Sequence, residues 1–192
     1  MSLGASLQQK ELVGLLRKLS YKEGKFTLTS GKESAFYVDC KNVALHPRGA
    51  ALIGDIAWQL LDPRAFGGVG GPTLGADPLA TALSLAAWGK GVELPAFIIR
   101  KEPKKHGTSQ WIEGRELLKS GASLLLVEDV VTTGGSSLKA IEKARAEGFV
   151  VTKLLALLDR CEGGREALAK AGVELTALAT IGQVQDYREG PQ

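Results

Sequence analysis

The chain has 192 residues, is 44% hydrophobic and 23% charged, and carries a formal charge of +3. That size and composition fit one globular domain with a sizeable core and leave little room for two. So small a positive excess does not make the basic face of a nucleic-acid binder, and no nucleic-acid partner is expected. No apolar run approaches the roughly 20 residues that cross a bilayer, and no basic stretch leads into an apolar one at the start, so no membrane association is expected and the chain reads as cytoplasmic. Cys40 and Cys161 are far apart and lack CxxC neighbours, and His46 and His106 are the only histidines, so neither a disulfide framework nor a metal-ligating set of side chains is expected.

Along the chain, Leu7, Leu12, Leu15, Leu16 and Leu19 recur near helical spacing and predict an amphipathic helix over about 6–19. Two short strand candidates, 26–29 and 35–38, flank the turn signal Ser30-Gly31-Lys32, so the N-terminal part reads as a small antiparallel appendage. Helices and strands then alternate. Helices are expected over 47–61, 78–88, 135–147 and 165–170, and strands at 66–70, 95–99, 123–127, 150–158 and 175–181. The stretch 100–115 is polar and without periodicity. Apolar strands separated by helices predict an α/β fold with a mostly parallel sheet covered on both faces. In such folds ligands bind beyond the carboxyl ends of the strands.

The most informative run is Leu124 to Ser136, in which a buried strand leads to two carboxylates, a turn of small residues and a helix. Thr132, Thr133, Gly134, Gly135 and Ser136 would offer backbone N–H groups and hydroxyls at a helix N-terminus, where unpaired donors and the helix dipole favour a phosphate. Glycines there let the backbone approach closely. Glu128 and Asp129 would stand where a sugar attached to that phosphate presents hydroxyls, for which carboxylates are strong acceptors. An acidic turn that merely ends a strand is the plainer reading of two acids alone, but it does not account for the whole run. Two decoys fail: Gly68-Val69-Gly70 continues to Thr73 rather than glycine, and Gly70 to Gly75 is followed by Ala76-Asp77 where a P-loop needs Lys-Ser/Thr.

VEDVVTTGGSS, residues 128–137 with the preceding valine, resembles the phosphoribosyl pyrophosphate (PRPP) motif of type I phosphoribosyltransferases. The resemblance implies that Glu128 and Asp129 hold the ribose hydroxyls. It also implies that Thr132 through Ser136 hold the 5′-phosphate, with Val130 and Val131 counted among the substrate-binding residues. Arg100 to Gly107, RKEPKKHG, resembles the flexible loop of the orotate phosphoribosyltransferases, a more specific match. As charge alone, such a run is usually a solvated loop. The resemblance instead implies that Arg100, Lys101, Lys104 and His106 contact pyrophosphate, that Lys104 is the catalytic lysine, and that the loop is shared across a homodimer.

Three further stretches agree in order along the chain. Phe26 to Asp39 is similar to the family's N-terminal hood, with Tyr37 as aromatic cover because position 38 is valine; Gly71 to Pro78 is similar to its pyrophosphate-side loop; Leu158-Asp159-Arg160 is similar to a strand end whose arginine contacts orotate. A planar guanidinium suits a substrate carboxylate, and an ion pair of Arg160 with Glu162 is the alternative. Thr29 and Leu74 stand where some members carry lysine, and Lys32 or Lys41 could substitute. The family likeness implies a single phosphoribosyltransferase domain over 1–192, with a hood over 1–45 and a flexible active-site loop over 100–115. It implies PRPP and orotate as substrates and Mg2+ as cofactor, carried mostly by substrate oxygens. Asp129 is expected to fix the ribose as positive charge develops on it. A purine-specific transferase is the nearest rival. A PRPP-binding regulator would need a DNA- or RNA-binding module, for which a single helix before Phe26 is too little.

Overall fold

A computed structural model of the chain describes residues 3–27, 33–103 and 111–189. The chain opens with helix α1 (Leu3–Leu15), extended by a π-helical turn over Leu16–Ser20, and enters a hairpin of β1 (Tyr21–Thr27) and β2 (Glu33–Val38). A short α2 (Lys41–Ala44) leads to α3 (Pro47–Leu60), which Pro47 opens at the position where a missing N–H does no harm. Then follow β3 (Gly68–Pro72), α4 (Ala76–Trp88), β4 (Ala96–Ile99), β5 (Ile112–Glu113), β6 (Ser123–Val131), α5 (Gly135–Ala146), β7 (Val150–Asp159), α6 (Gly164–Lys170), β8 (Glu174–Thr180) and α7 (Ile181–Asp186). Thr180 and Gln183 close a capping box at the start of α7.

Among the described residues six strands form the main sheet, in the order β5-β4-β3-β6-β7-β8, all parallel except the edge strand β5. The α/β architecture with a mostly parallel sheet is therefore the one the sequence predicts. Alternation along β6 shows why: Leu125 and Val127 join one core cluster while Leu124 and Leu126 join the other. The first cluster holds Leu12 and Leu16 of the N-terminal helix, Leu52 and Ile56 of α3, and Leu79 and Leu83 of α4. The second holds Ile141 and Ala144 of α5 and Leu168 of α6. All four β6 residues are 0% exposed, which makes the strand apolar on both faces; each such side chain contributes about 2 kcal/mol.

The N-terminal segment is thus not wholly an appendage. Its helix packs into the main core, and only the hairpin makes a separate sheet. The hairpin also begins five residues before the strand expected at 26. Its early part carries Lys22, Glu23 and Lys25, all exposed, so no apolar alternation announces it. No described helix is long and apolar enough to cross a membrane.

The strand order places the site. From β3 the chain moves outward to β4, and from β6 it moves the other way to β7 and β8. The loops leaving β3 and β6 therefore part and open a crevice at the carboxyl ends of these neighbours.

Candidate active site

Strand β6 runs through Val131, so Glu128 and Asp129 belong to its second half; they do not follow it as expected. Neighbours on a strand point to opposite faces, and the two acids find different surroundings. Glu128 is 6% exposed, and its Oε2 accepts from Ser137 Oγ at 2.9 Å and Ser136 Oγ at 3.2 Å. Burial pushes its carboxyl up to about 7; the Ser137 hydrogen bond opposes this, the nearby Asp129 charge adds to it, and Ser136 opposes it further. Asp129 is half-buried and accepts from the Val130 N–H at 2.9 Å. Burial raises its proton affinity too, while the positive charge of Lys41 works against the rise. Gly75 lies directly against this carboxylate, and a Cβ there would overlap its carbon and both oxygens.

After β6 the chain turns through Thr132 and Thr133, and Gly134 adopts the left-handed conformation, φ 83°, before α5. Thr133, Gly135 and Ser136 are exposed and Thr132 is half-buried. Val130 is half-buried as well, but Val131 is a core side chain, 1% exposed, whose carbonyl accepts from the Arg160 N–H at 2.9 Å. Val131, counted among the substrate-binding residues, therefore turns its side chain into the core.

A cavity of about 320 Å³ opens at the crevice, between Pro72, Thr73 and Gly75 on one side and Glu128, Asp129 and Ser136 on the other. Arg100 and Lys101, at the end of β4, also line it. Five of the expected contacts, Arg100, Lys101, Glu128, Asp129 and Ser136, thus share one cavity. The Arg100 guanidinium pairs with Glu113 and donates to the Glu102 carbonyl at 3.1 Å. Lys104 and His106 lie outside the described residues, as do Thr29 and Lys32. Lys41 pairs with Asp39 at 2.7 Å. Lys139 and Lys143 of α5 line the cavity too and are not among the expected residues. Their spacing of four places them on one helix face, the only sequence signal that marks them.

Arg160 and Tyr37 do not line that cavity. Arg160 follows β7, beside the end of β6. Its side chain is 8% exposed, it pairs with Glu162 at 2.8 Å, and its guanidinium lies 4.7 Å from the centroid of the Phe36 ring. The ion pair named as the alternative does form, yet the arginine is buried, and its Nε has no partner among the described residues. Tyr37 is 41% exposed, and its ring meets Phe26 with centroids 5.6 Å apart. Phe36, not expected at the site, is the aromatic that touches Arg160, and it also stacks on Tyr21.

A model of the phosphoribosyl transferase domain matches residues 39–188. An orotate phosphoribosyltransferase of Nostoc sp. is 45% identical over 185 residues, covering 96% of this chain and 89% of the relative. One from Sorangium cellulosum is 43% identical, with 94% of each chain covered. The crystal structure of the Mycobacterium tuberculosis orotate phosphoribosyltransferase with PRPP superposes with a TM-score of 0.75 at 34% identity, covering 93% of this chain and 99% of that one. An adenine phosphoribosyltransferase of Leishmania donovani, 16% identical with a TM-score of 0.64, shares the fold. Covering these relatives almost end to end, the chain belongs to the orotate phosphoribosyltransferases, pentosyltransferases that move phosphoribose from PRPP to orotate in pyrimidine biosynthesis.

Proposed function

We propose that the transfer takes place in the crevice between β3 and β6, with the sugar phosphate on the β6–α5 turn and the diphosphate under Arg100, Lys101, Lys104 and His106. The observation that carries this is one cavity lined at once by two carboxylates, a helix-start serine and four cations, Arg100 and Lys101 among them. The 5′-phosphate would take donors from Thr132 to Ser136, and the ribose hydroxyls would donate to Glu128 and Asp129.

Breaking the bond from anomeric carbon to pyrophosphate leaves positive charge on the ring and negative charge on the departing oxygens. Placement and fixed charges therefore do most of the work. Asp129, held by the Val130 N–H and pressed by Gly75, fixes the ribose and favours the positive ring. Lys104 neutralises the departing diphosphate or gives it a proton. Orotate nitrogen attacks from a pocket bounded by Tyr37, Phe36, Thr132 and Arg160, its carboxylate meeting the Arg160 guanidinium.

Magnesium fits as an ion brought mostly by substrate oxygens. Among the described residues no three His, Cys, Asp or Glu side chains gather to hold a metal, while the cavity takes a diphosphate, the usual carrier of this ion. When bound it would supply charge neutralisation on the leaving group.

We further propose a cytoplasmic homodimer in which the loop 100–115 is shared across the interface, with Arg100 and Lys101 in their own chain's cavity. In its support, Leu45, Leu74 and Leu85 are 71%, 67% and 65% exposed around one groove, and Leu85 continues the apolar surface to Trp88 and Leu117. A contiguous apolar face of that kind suits a second copy of the chain.

The deciding experiment follows orotate disappearance with PRPP and magnesium, omitting each component in turn. Loss of orotate that requires all three is expected; turnover of adenine or guanine in place of orotate would move the assignment to a purine transferase.

A further inference from the structure

Helix α5 does more than begin at the phosphate turn. Lys143, two turns along it, donates from Nζ to the Arg100 carbonyl at 2.9 Å and to the Lys101 carbonyl at 3.3 Å. The same ammonium lies 3.9 Å from the centroid of the Trp111 ring. One turn further, Glu147 accepts from the Trp111 N–H at 3.3 Å and pairs with Arg115 at 3.9 Å. The Arg100 N–H closes the arrangement by donating to the Trp111 carbonyl at 2.9 Å. One face of α5 thus grips the chain on both sides of residues 104–110, carbonyls and ring by the lysine, amide and guanidinium by the glutamate.

Among the described residues Lys143 pairs with no carboxylate, although burial lowers its hold on a proton. An exposed helix lysine would be free to solvate its charge. Here two carbonyl dipoles and an aromatic face take the place of water. All of these partners belong to the segment that carries Arg100 and Lys101, and both of those residues share the cavity with Glu128 and Asp129.

We propose that Lys143 is a positioning residue for the pyrophosphate half of the reaction: from the phosphate-turn helix it sets where Arg100 and Lys101 stand over the cavity. The proposal rests on the diphosphate reading of those two cations. Lys143 acts through them, so its loss weakens the hold on PRPP and on pyrophosphate while leaving the orotate side alone.

The test measures kcat and both KM values for Lys143→Met, Lys143→Arg and Trp111→Leu, with circular dichroism to verify folding. Lys143→Met, which keeps the aliphatic stem, should raise KM for PRPP about 10-fold and leave KM for orotate within about 2-fold. Trp111→Leu should move KM for PRPP the same way by about 3-fold, and Lys143→Arg, still a cation, should recover most of the loss. A folded Lys143→Met protein with unchanged KM for PRPP overturns the proposal. So does a PRPP defect that Trp111→Leu does not share, since that marks direct contact with the ligand. Should Lys143→Met not fold, KM for PRPP in Trp111→Leu decides alone. Wild-type protein without turnover would remove the transfer reading itself, whereas an active wild type with indifferent variants removes only the role of Lys143.

Discussion

Ser137 and Glu128 stand nine residues apart on either side of the β6–α5 turn, and their side chains meet at 2.9 Å. Ser136 reaches the same carboxylate oxygen, Oε2, so both hydroxyls hold one oxygen and the other is left for a ligand. Ser136 is exposed and also placed for the phosphate, whereas Ser137 is 0% exposed and can serve only the carboxylate.

Replacing Ser137 by alanine should raise KM for PRPP about 5-fold, the worth of one ordinary hydrogen bond. That bond also holds the Glu128 carboxyl down against burial. Its loss lets the carboxyl keep its proton to higher pH, so the acid limb of kcat/KM for PRPP should move upward. Superimposable pH profiles for the two proteins would show that Ser137 only fills space.

Glu128 should also leave a mark on stability. Its folded carboxyl titrates at about 7 against an ordinary 4.5, so the folded chain binds the proton more tightly than the unfolded one. Stability from this group is complete below pH 4.5 and is lost as pH rises through about 7. The loss is about 3 kcal/mol. Urea titrations at about pH 5 and about pH 8 should show a larger drop in the wild type than in Glu128→Gln. Equal drops would place the pH dependence elsewhere.

Lys104→Ala should lower kcat by about 100-fold or more while weakening orotidine 5′-monophosphate binding only slightly, because the charge it meets develops on the leaving group. Isothermal titration with the nucleotide beside steady-state kinetics separates the two. Matching losses would make Lys104 a binding contact and nothing more.

Arg160→Ala should raise KM for orotate by roughly 30-fold, the scale of a lost charge-assisted contact. Phe36→Leu, which removes the ring under the guanidinium but keeps an apolar filler, should raise it by about 3-fold. KM for PRPP should stay put in both. A PRPP effect as large as the orotate effect would show that the hairpin orders the whole site.

Leu85→Glu places a charge in the middle of the exposed apolar face and should shift the protein from dimer to monomer in sedimentation velocity. If the loop 100–115 is shared across the interface, activity should fall with it. A dimer that persists would put the interface on another face.

Much of this site could be read before any coordinates. The period changes abruptly from the apolar run of β6 to the turn and α5, and that change marks the phosphate turn by itself. Arg160 stands out through the likeness of Leu158-Asp159-Arg160 to the family's strand end, not through any pattern of its own. Phe36 is hidden because which face of β2 turns toward Arg160 is set by how β2 pairs with β1, and the charged start of β1 conceals that pairing. Lys143 looked like any lysine on a helix surface. Only the strand order, which brings β4 and the segment after it beside α5, turns its charge inward. The extra length of β6 was missed because Glu128 and Asp129 are poor strand formers, held in the sheet by pairing with β7 as far as Val131.

Gly75 and Asp129 fit so closely that neither can change shape without the other. The same holds one strand back, where a Cβ on Gly71 would strike the Val127 carbonyl. On the proposed reading, evolution can therefore retune the nucleobase end, where the Phe36 ring lies on Arg160, more freely than the sugar end, where these glycines leave no room. A lineage drifting toward a new base would be expected to rewrite the neighbourhood of Phe36 and Arg160 and inherit the glycines untouched.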